Sequence, residues 1–380
     1  MQEIDRDVTD IVNDQGGEIL KLCYQCGTCT STCPWNTVRN FLIRRTMHKA
    51  QFGLLDFEDE DMWLCVTCKA CVARCPRGVE IIDVWRALRR VIVEVGAGKV
   101  PDSLRVVVKN IASVGNPQGE ERGKWIDWAK GAGIKPFTKE AESLYLPCCY
   151  TIYDPQFERV VQATLSILQK SNVEFGFLDA ELSCCGESVR KTGNESLFQS
   201  LAQTNIGALN EASVTNIIAA SPHCYDTINK EYPDLGANFE VKHFSVYLAE
   251  LIKEGRLKLT KEVNKKVTYH DSCYLGRHNE IYDEPRQVLE SIPGLELVEM
   301  RDSRNNSLCC GGGGGGIWEE TKKEERFADL RVEQALEVGA EILAVACPYC
   351  MVMLGDSILA SNKGDAIEVK DIAELVQEAI

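Results

Sequence analysis

The sequence predicts an α/β protein with an all-α N-terminal part, a helical segment followed by two repeated Rossmann-like domains. Three observations predict it. Residues 144–255 and 266–380 align on one another at an offset of about 125, with cysteines at matched places. Each half alternates short buried runs with stretches of helical apolar spacing, the pattern of a parallel sheet covered by helices. The first hundred residues show helical spacing around two cysteine runs.

The repeat is carried by local sequence as well as by spacing. Cys149-Tyr150 matches Cys273-Tyr274, and Cys184-Cys185-Gly186 matches Cys309-Cys310-Gly311. Ala220-Ser221-Pro222-His223-Cys224 matches Ala346-Cys347-Pro348-Tyr349-Cys350, and Val241-Lys242-His243 matches Val369-Lys370-Asp371. In the second half, 267–269 and 295–298 read as short strands, 326–338 as a helix and 342–346 as a buried strand. The cysteines fall just after the strands. Open α/β sheets bind ligands at the carboxyl ends of their strands, so cysteines distant in sequence can converge there.

A chain of 380 residues accommodates two or three domains. The expected division is 1–100, a linker over 101–143, a first repeat over 144–255 and a second over 266–380. The linker contains the turn-rich, charged Asn116-Pro117-Gln118-Gly119-Glu120-Glu121-Arg122-Gly123. The formal charge of −15 argues against nucleic-acid binding through a basic surface. No apolar run reaches the length of a membrane span. The acidic start, Met1-Gln2-Glu3-Ile4-Asp5-Arg6-Asp7, lacks the features of a secretory signal. A cytoplasmic location is expected, peripheral to the inner face of a membrane only through a partner. In a reducing compartment, 18 clustered cysteines favour metal ligation over disulfides.

Cys23, Cys26, Cys29 and Cys33 precede Pro34, and Cys65, Cys68, Cys71 and Cys75 precede Pro76. Both runs read C-x2-C-x2-C-x3-C-P, the bacterial two-cluster ferredoxin pattern. Three thiolates on one tight turn hold one [4Fe–4S] cluster, and the fourth cysteine serves the other cluster. The expected sets are Cys23, Cys26, Cys29 with Cys75, and Cys65, Cys68, Cys71 with Cys33. Structural zinc more often uses separated C-x2-C pairs. Between the runs, 37–53 has helical spacing through Val38, Phe41, Leu42 and Met47. After them, Ile81, Ile82, Val84, Trp85, Leu88, Val91, Ile92 and Val95 mark an amphipathic helix. Arg44-Arg45 and Arg89-Arg90 read as solvated helix faces.

These features carry a resemblance. The N-terminal part resembles the helical ferredoxin module of the heterodisulfide reductase C subunit and of succinate dehydrogenase iron–sulfur subunits. The pattern C-x35-C-C-G-x35/36-C-P-x-C resembles the CCG domain of heterodisulfide reductase B and D subunits, of glycolate oxidase iron–sulfur subunits and of DsrK-type proteins. A C-like start fused to a B-like remainder is the D-subunit arrangement. The resemblance implies a noncubane [4Fe–4S] cluster on Cys273, Cys309, Cys310, Cys347 and Cys350. The first repeat departs from the pattern, with Ser221 in place of a cysteine. Cys149, Cys184, Cys185 and Cys224 remain, with an extra Cys148 beside Cys149. Four thiolates can hold a further cluster there, and a serine alkoxide is a poor fifth ligand for a soft site. The alternative is that these are small buried core residues.

The resemblance implies an oxidoreductase subunit that reduces a disulfide with electrons from the ferredoxin clusters. The alternative is an electron relay between a flavoprotein and a quinone or cytochrome partner. Implied partners are a flavoprotein or other redox subunit, a disulfide substrate or thiol protein, and a membrane redox subunit; an anaerobic host is expected. His270, close in sequence to Cys273, is a candidate proton donor to a leaving thiolate, with a structural hydrogen bond to Asp271 as the alternative. His278 is a weaker candidate. The run of six glycines from Gly311 to Gly316 reads as backbone making a close approach, rather than as a flexible turn.

Overall fold

The computed structural model describes residues 5–121, 123–178 and 182–380. Met1 to Ile4 of the acidic start, and Arg122 of the turn-rich stretch, lie outside the described residues. The chain divides into two compact units. The first takes Met1–Val106, Ser188–Phe198 and Gly311–Phe327, and the second takes Val107–Glu187, Gln199–Cys310 and Ala328–Ile380.

The first unit is helical. Helix Ile43–Gln51 buries Ile43, Met47 and Ala50, one face at i, i+4 and i+7. It starts later than the apolar spacing of 37–53 predicts. The Asn36 side chain donates to the carbonyls of Thr30 and Phe41 and accepts from the Phe41 amide at 3.0 Å. That clasp holds 36–41 as a closed loop, and a side chain bonding the backbone competes with a helix there. Helix Ile81–Arg90 buries Ile82, Trp85 and Arg89 along one stripe. It continues as a wider π turn, Val91–Val95, and stops at Gly96 with φ of 77°.

The second unit contains two four-stranded parallel sheets. In the first repeat, β1 (Ser143–Leu146), β2 (Phe175–Gly176), β3 (Asn216–Ala219) and β4 (Glu240–His243) lie in the order β2-β1-β3-β4. In the second, β5 (Lys266–Tyr269), β6 (Glu296–Val298), β7 (Ile342–Val345) and β8 (Glu368–Asp371) lie in the order β6-β5-β7-β8. The two orders are the same, as the sequence repeat predicts. β7 is buried along its whole length, as a parallel strand covered on both faces must be.

The two repeats pack reciprocally. Helix Glu158–Lys170 of the first lies against Ile372–Ala379, the last helix of the second. Helix Phe244–Lys253, the last of the first repeat, lies against Asp283–Glu290 of the second. One apolar core runs through both repeats, with Tyr145, Phe177 and Ile218 from the first and Tyr269, Val288 and Ala344 from the second. Segment 101–143, read above as linker, contains helices Asp102–Val114 and Gly123–Gly131 on either side of the turn at Asn116.

Candidate functional site

In the first unit the two cysteine runs share a backbone feature. Gln25 and Gly27 in one, and Thr67 and Lys69 in the other, stand at matching positions with φ between 51° and 87°. Alternating hands of this kind turn successive backbone N–H groups into a concave anion-binding surface. The conformation is costly for a β-branched residue such as Thr67. Cys23, Cys26, Cys29 and Cys75 line one small hollow, with Arg44, Met47 and Ile81. Burial, and then repulsion from Cys68 and Cys65, raises the thiol of Cys33. Burial raises Cys71, reinforced by Cys65, Cys68 and Cys33. The fourth cysteine of each run therefore stands among the first three of the other. Cys29, Cys68 and Cys71 are buried, Cys26 is exposed and the other four are partly buried, and each group of four soft donors suits an iron–sulfur cluster.

Arg89 corrects the reading of Arg89-Arg90 as a solvated face. Its side chain is fully buried, and Arg90 is largely covered beside Glu195. The Arg89 guanidinium donates from Nε to Met62 O at 3.0 Å and from Nη2 to Trp63 O and Cys65 O at 2.9 Å. Nη1 donates to Lys191 O at 3.0 Å and Gly314 O at 2.9 Å. Lys191 and Gly314 lie in the segments that follow the two cysteine pairs of the repeats in sequence. Burial pushes the Cys65 thiol up to about 11, against the opposing pull of Arg89. Arg44 and Arg45 are exposed, as expected of a solvated face.

The glycine run makes its close approach at the second cysteine run. A Cβ on Gly313 would lie 2.5 Å from Val66 O, and one on Gly314 would lie 2.4 Å from Cys65 O. Gly314 and Gly315 also have φ of 59° and 94°. Only glycine satisfies both conditions.

In the second repeat, Cys273, Cys309, Cys310, Cys347 and Cys350 are all buried, after β5, β6 and β7. Cys310 Sγ lies 3.4 Å from Cys350 Sγ. The ligand atoms of His270, Cys310 and Cys350 all lie within 4.8 Å of one another. Burial alone would raise the Cys347 thiol, but hydrogen bonds with Cys350 and His223 bring it down to about 5. Arg331 donates from Nε to His270 Nδ1 at 3.1 Å. His270 Nε2 is buried and finds no oxygen or nitrogen partner among the described residues. Asp271 is not the partner of His270. It forms a two-pronged ion pair with Arg286 at 2.7 and 3.0 Å and accepts from the Arg304 amide at 2.7 Å. His278 stacks on Tyr274, ring centres 4.0 Å apart, with Nδ1 3.8 Å from Asp226.

In the first repeat, Cys149 and Cys184, Cys184 and Cys185, and Cys185 and Cys224 are hydrogen-bond neighbours. Ser221 Oγ accepts from the His223 amide at 3.3 Å and caps the helix that starts at Pro222. His223 itself reaches the second repeat. Its ring lies 4.0 Å from Tyr274 and 4.3 Å from Tyr349, centre to centre, and its Nδ1 is 3.3 Å from Glu187. Burial disfavours the charged imidazole, yet Glu187 and then Cys347 hold His223 well above its ordinary range. Sequence reasoning missed Arg89, Arg331, Glu187 and His223. For Arg89 the signal was its place in the apolar stripe of Ile82, Trp85 and Ile92.

Comparison with known proteins agrees with this layout. The chain matches the cysteine-rich CCG domain over residues 143–229 and 267–355. It matches the 4Fe-4S dicluster domain over residues 22–80, so the chain is an iron–sulfur protein. It is 38% identical over 331 residues to the probable iron-sulfur-binding oxidoreductase FadF of Bacillus subtilis, covering 85% of this chain and 47% of that one. It is 35% identical to the EtfAB:quinone oxidoreductase of Syntrophomonas wolfei, covering 84% of this chain and 47% of that one. The chain thus spans about half the length of these two relatives. It is 31% identical to the D subunit of the dihydromethanophenazine:CoB–CoM heterodisulfide reductase of Methanosarcina barkeri, covering 95% of this chain and 94% of that one.

Proposed function

The chain belongs to the family of heterodisulfide reductase D subunits, and from that premise we propose that it is an iron–sulfur oxidoreductase subunit that delivers electrons to a disulfide at its second repeat. Cys23, Cys26, Cys29 and Cys75 hold one [4Fe–4S] cluster, and Cys65, Cys68, Cys71 and Cys33 hold the other. Cys273, Cys309, Cys310, Cys347 and Cys350 hold a noncubane cluster. When bound, these groups supply one-electron transfer at potentials set by charge, burial and hydrogen bonding.

The observation that carries the proposal is the second repeat's five buried thiols with His270 among them. Reducing a disulfide consumes two electrons and two protons and releases two thiols. The chain's part is to desolvate the sulfurs and to hold a proton beside them. Because His270 Nδ1 accepts from Arg331, the neutral ring carries its hydrogen on Nε2, in a histidine that lies beside Cys310 and Cys350. His270 therefore presents a donor, not a lone pair, to that site.

A second reading is favoured by the relatives FadF and the EtfAB:quinone oxidoreductase. In it the chain relays electrons between a flavoprotein and a quinone or cytochrome partner. Among the described residues no helix is long and apolar enough to cross a membrane.

Anaerobically reduced protein separates the two readings. Reoxidation by a small-molecule or protein disulfide, with a new paramagnetic signal that Cys309→Ser abolishes, is the expected result. Reoxidation only by a flavoprotein or quinone partner would replace the first reading with the second.

A further inference from the structure

The two repeats differ by a reciprocal exchange of serine and cysteine. In the second, Ser272 precedes the first cysteine of the motif, and Cys347 opens the C-P-x-C segment. In the first, Cys148 precedes it, and Ser221 opens the matching segment. Each repeat therefore has five thiols, with the fifth at a different point in the chain.

The thiol contacts of the two repeats run in parallel. Cys185 neighbours Cys224 as Cys310 neighbours Cys350. Cys184 neighbours Cys185 as Cys309 neighbours Cys310. The last cysteine then has one further thiol partner. In the second repeat that partner is Cys347. In the first it is Cys148, which hydrogen-bonds Cys224.

We propose that the first repeat holds an iron–sulfur cluster of its own, of the [4Fe–4S] class, and that Cys148 supplies the thiolate that Cys347 supplies in the second repeat.

Ser221 does not compete for this role. Its hydroxyl accepts the His223 amide as a helix cap, and a hard oxygen is a poor match for a soft iron–sulfur site. Cys148 is buried, with 5% of its surface exposed. Cys149, Cys185 and Cys224 line one small hollow, whose wall includes Asn205 and Tyr232. That wall is built: Asn205 Nδ2 donates to Tyr232 Oη at 3.0 Å, and Tyr232 Oη donates to Cys185 O at 3.1 Å. Isolated core cysteines would pack among apolar side chains, not as a chain of mutually bonded thiols beside a hollow. The inference rests on the iron–sulfur reading above and adds one site to it.

The test is iron and sulfide content, with EPR, on the full anaerobically purified chain. Each filled [4Fe–4S] site contributes about four irons. Wild-type protein is expected to hold about sixteen, Cys148→Ser about twelve, and the double variant Cys148→Ser/Ser221→Cys about sixteen again, because the exchange rebuilds the second repeat's arrangement. The other signals persist in all three. Equal iron in wild type and Cys148→Ser overturns the proposal. If Cys148→Ser fails to fold, recovery in the double variant supports the proposal, and failure of both overturns it. Cys309→Ser keeps the two readings apart. Loss of about four irons only in that variant would uphold the second-repeat site and remove the first-repeat one. Loss only in Cys148→Ser would do the reverse.

Discussion

Arg331 Nε points at His270 Nδ1 from 3.1 Å, and both side chains are buried to 1% exposure or less. The contact fixes which imidazole nitrogen bears the hydrogen. Arg331 is itself held by Asp302 O at 2.6 Å and Gln334 Oε1 at 2.8 Å. Burial brings its guanidinium down to about 10, opposed by Asp271 and Asp302, so it stays charged at neutral pH. Arg331→Met removes the donor and lets the ring rotate or change tautomer. The variant should lose about 2 kcal/mol of stability, the scale of hydrogen bonds to a charged group. The EPR signal of the second repeat should change while those of the N-terminal module stay as they are. Unchanged second-repeat spectra would show that the His270 tautomer does not matter there.

Arg89 gives a prediction of the same kind in the first unit. Its five N–H groups go to five main-chain carbonyls, one of them of Cys65. A fixed positive charge beside a cluster favours its reduced, more negative form, so neutralising it lowers the potential. Arg89→Met should move one of the two ferredoxin-type midpoints to more negative values by about 59 mV or more, a tenfold change in a one-electron couple. Arg89→Lys keeps the charge and should hold the midpoint near wild type while losing stability, since one ammonium cannot reach all five carbonyls. Redox titration followed by EPR decides. If both variants lose stability and neither moves a midpoint, Arg89 is only a brace.

What was legible in the sequence was what repeats or what has fixed spacing. The eight cysteines of 23–75 name their chemistry by position, and β5 and β7 follow from short apolar runs. The matched cysteines of the two halves reflect one topology used twice. What was not legible depends on residues far apart in sequence. Arg89 looks like half of a surface Arg-Arg pair until Lys191 and Gly314 are brought to it. His223 looks like a variant of Tyr349 until its ring is seen against Tyr274 and Tyr349 of the other repeat. Cys148 looks redundant until Ser221 is found capping a helix. The helix expected from residue 37 starts at Ile43 because one asparagine side chain outcompetes apolar spacing.

The glycine run offers a stability test with an internal control. At Gly314 a methyl group would meet Cys65 O at 2.4 Å, in a left-handed conformation that alanine resists. Gly314→Ala should cost about 2 kcal/mol or more through strain and displaced backbone. Gly355 lies inside helix Pro348–Ala360, and a methyl group there would meet nothing within 4 Å beyond its own helix. Gly355→Ala should stabilise by about 0.5–1 kcal/mol through helix propensity. Thermal midpoints of the two variants should therefore move in opposite directions. A neutral Gly314→Ala would mean that the run does not need its close approach.

His243 sets a pH dependence that belongs to the fold. It is buried, and its Nδ1 accepts from the Ser245 amide at 3.2 Å, capping helix Phe244–Lys253. Asp371 does the same in the second repeat, accepting from the Ala373 amide at 2.9 Å. Burial drives the His243 imidazole down to about 3. An unfolded histidine titrates near 6.5. Between those values the unfolded chain binds a proton that the folded chain refuses, so stability falls as the pH falls. The contribution is fully present above pH ~6.5 and declines by about 1.4 kcal/mol per unit below it. His243→Asn keeps an acceptor at the cap and removes the titration. Wild type should lose about 2 kcal/mol between pH 6.5 and 5 from this group alone, and the variant should lose that much less. Parallel curves for the two proteins in urea unfolding would show that His243 accepts a proton without leaving its place.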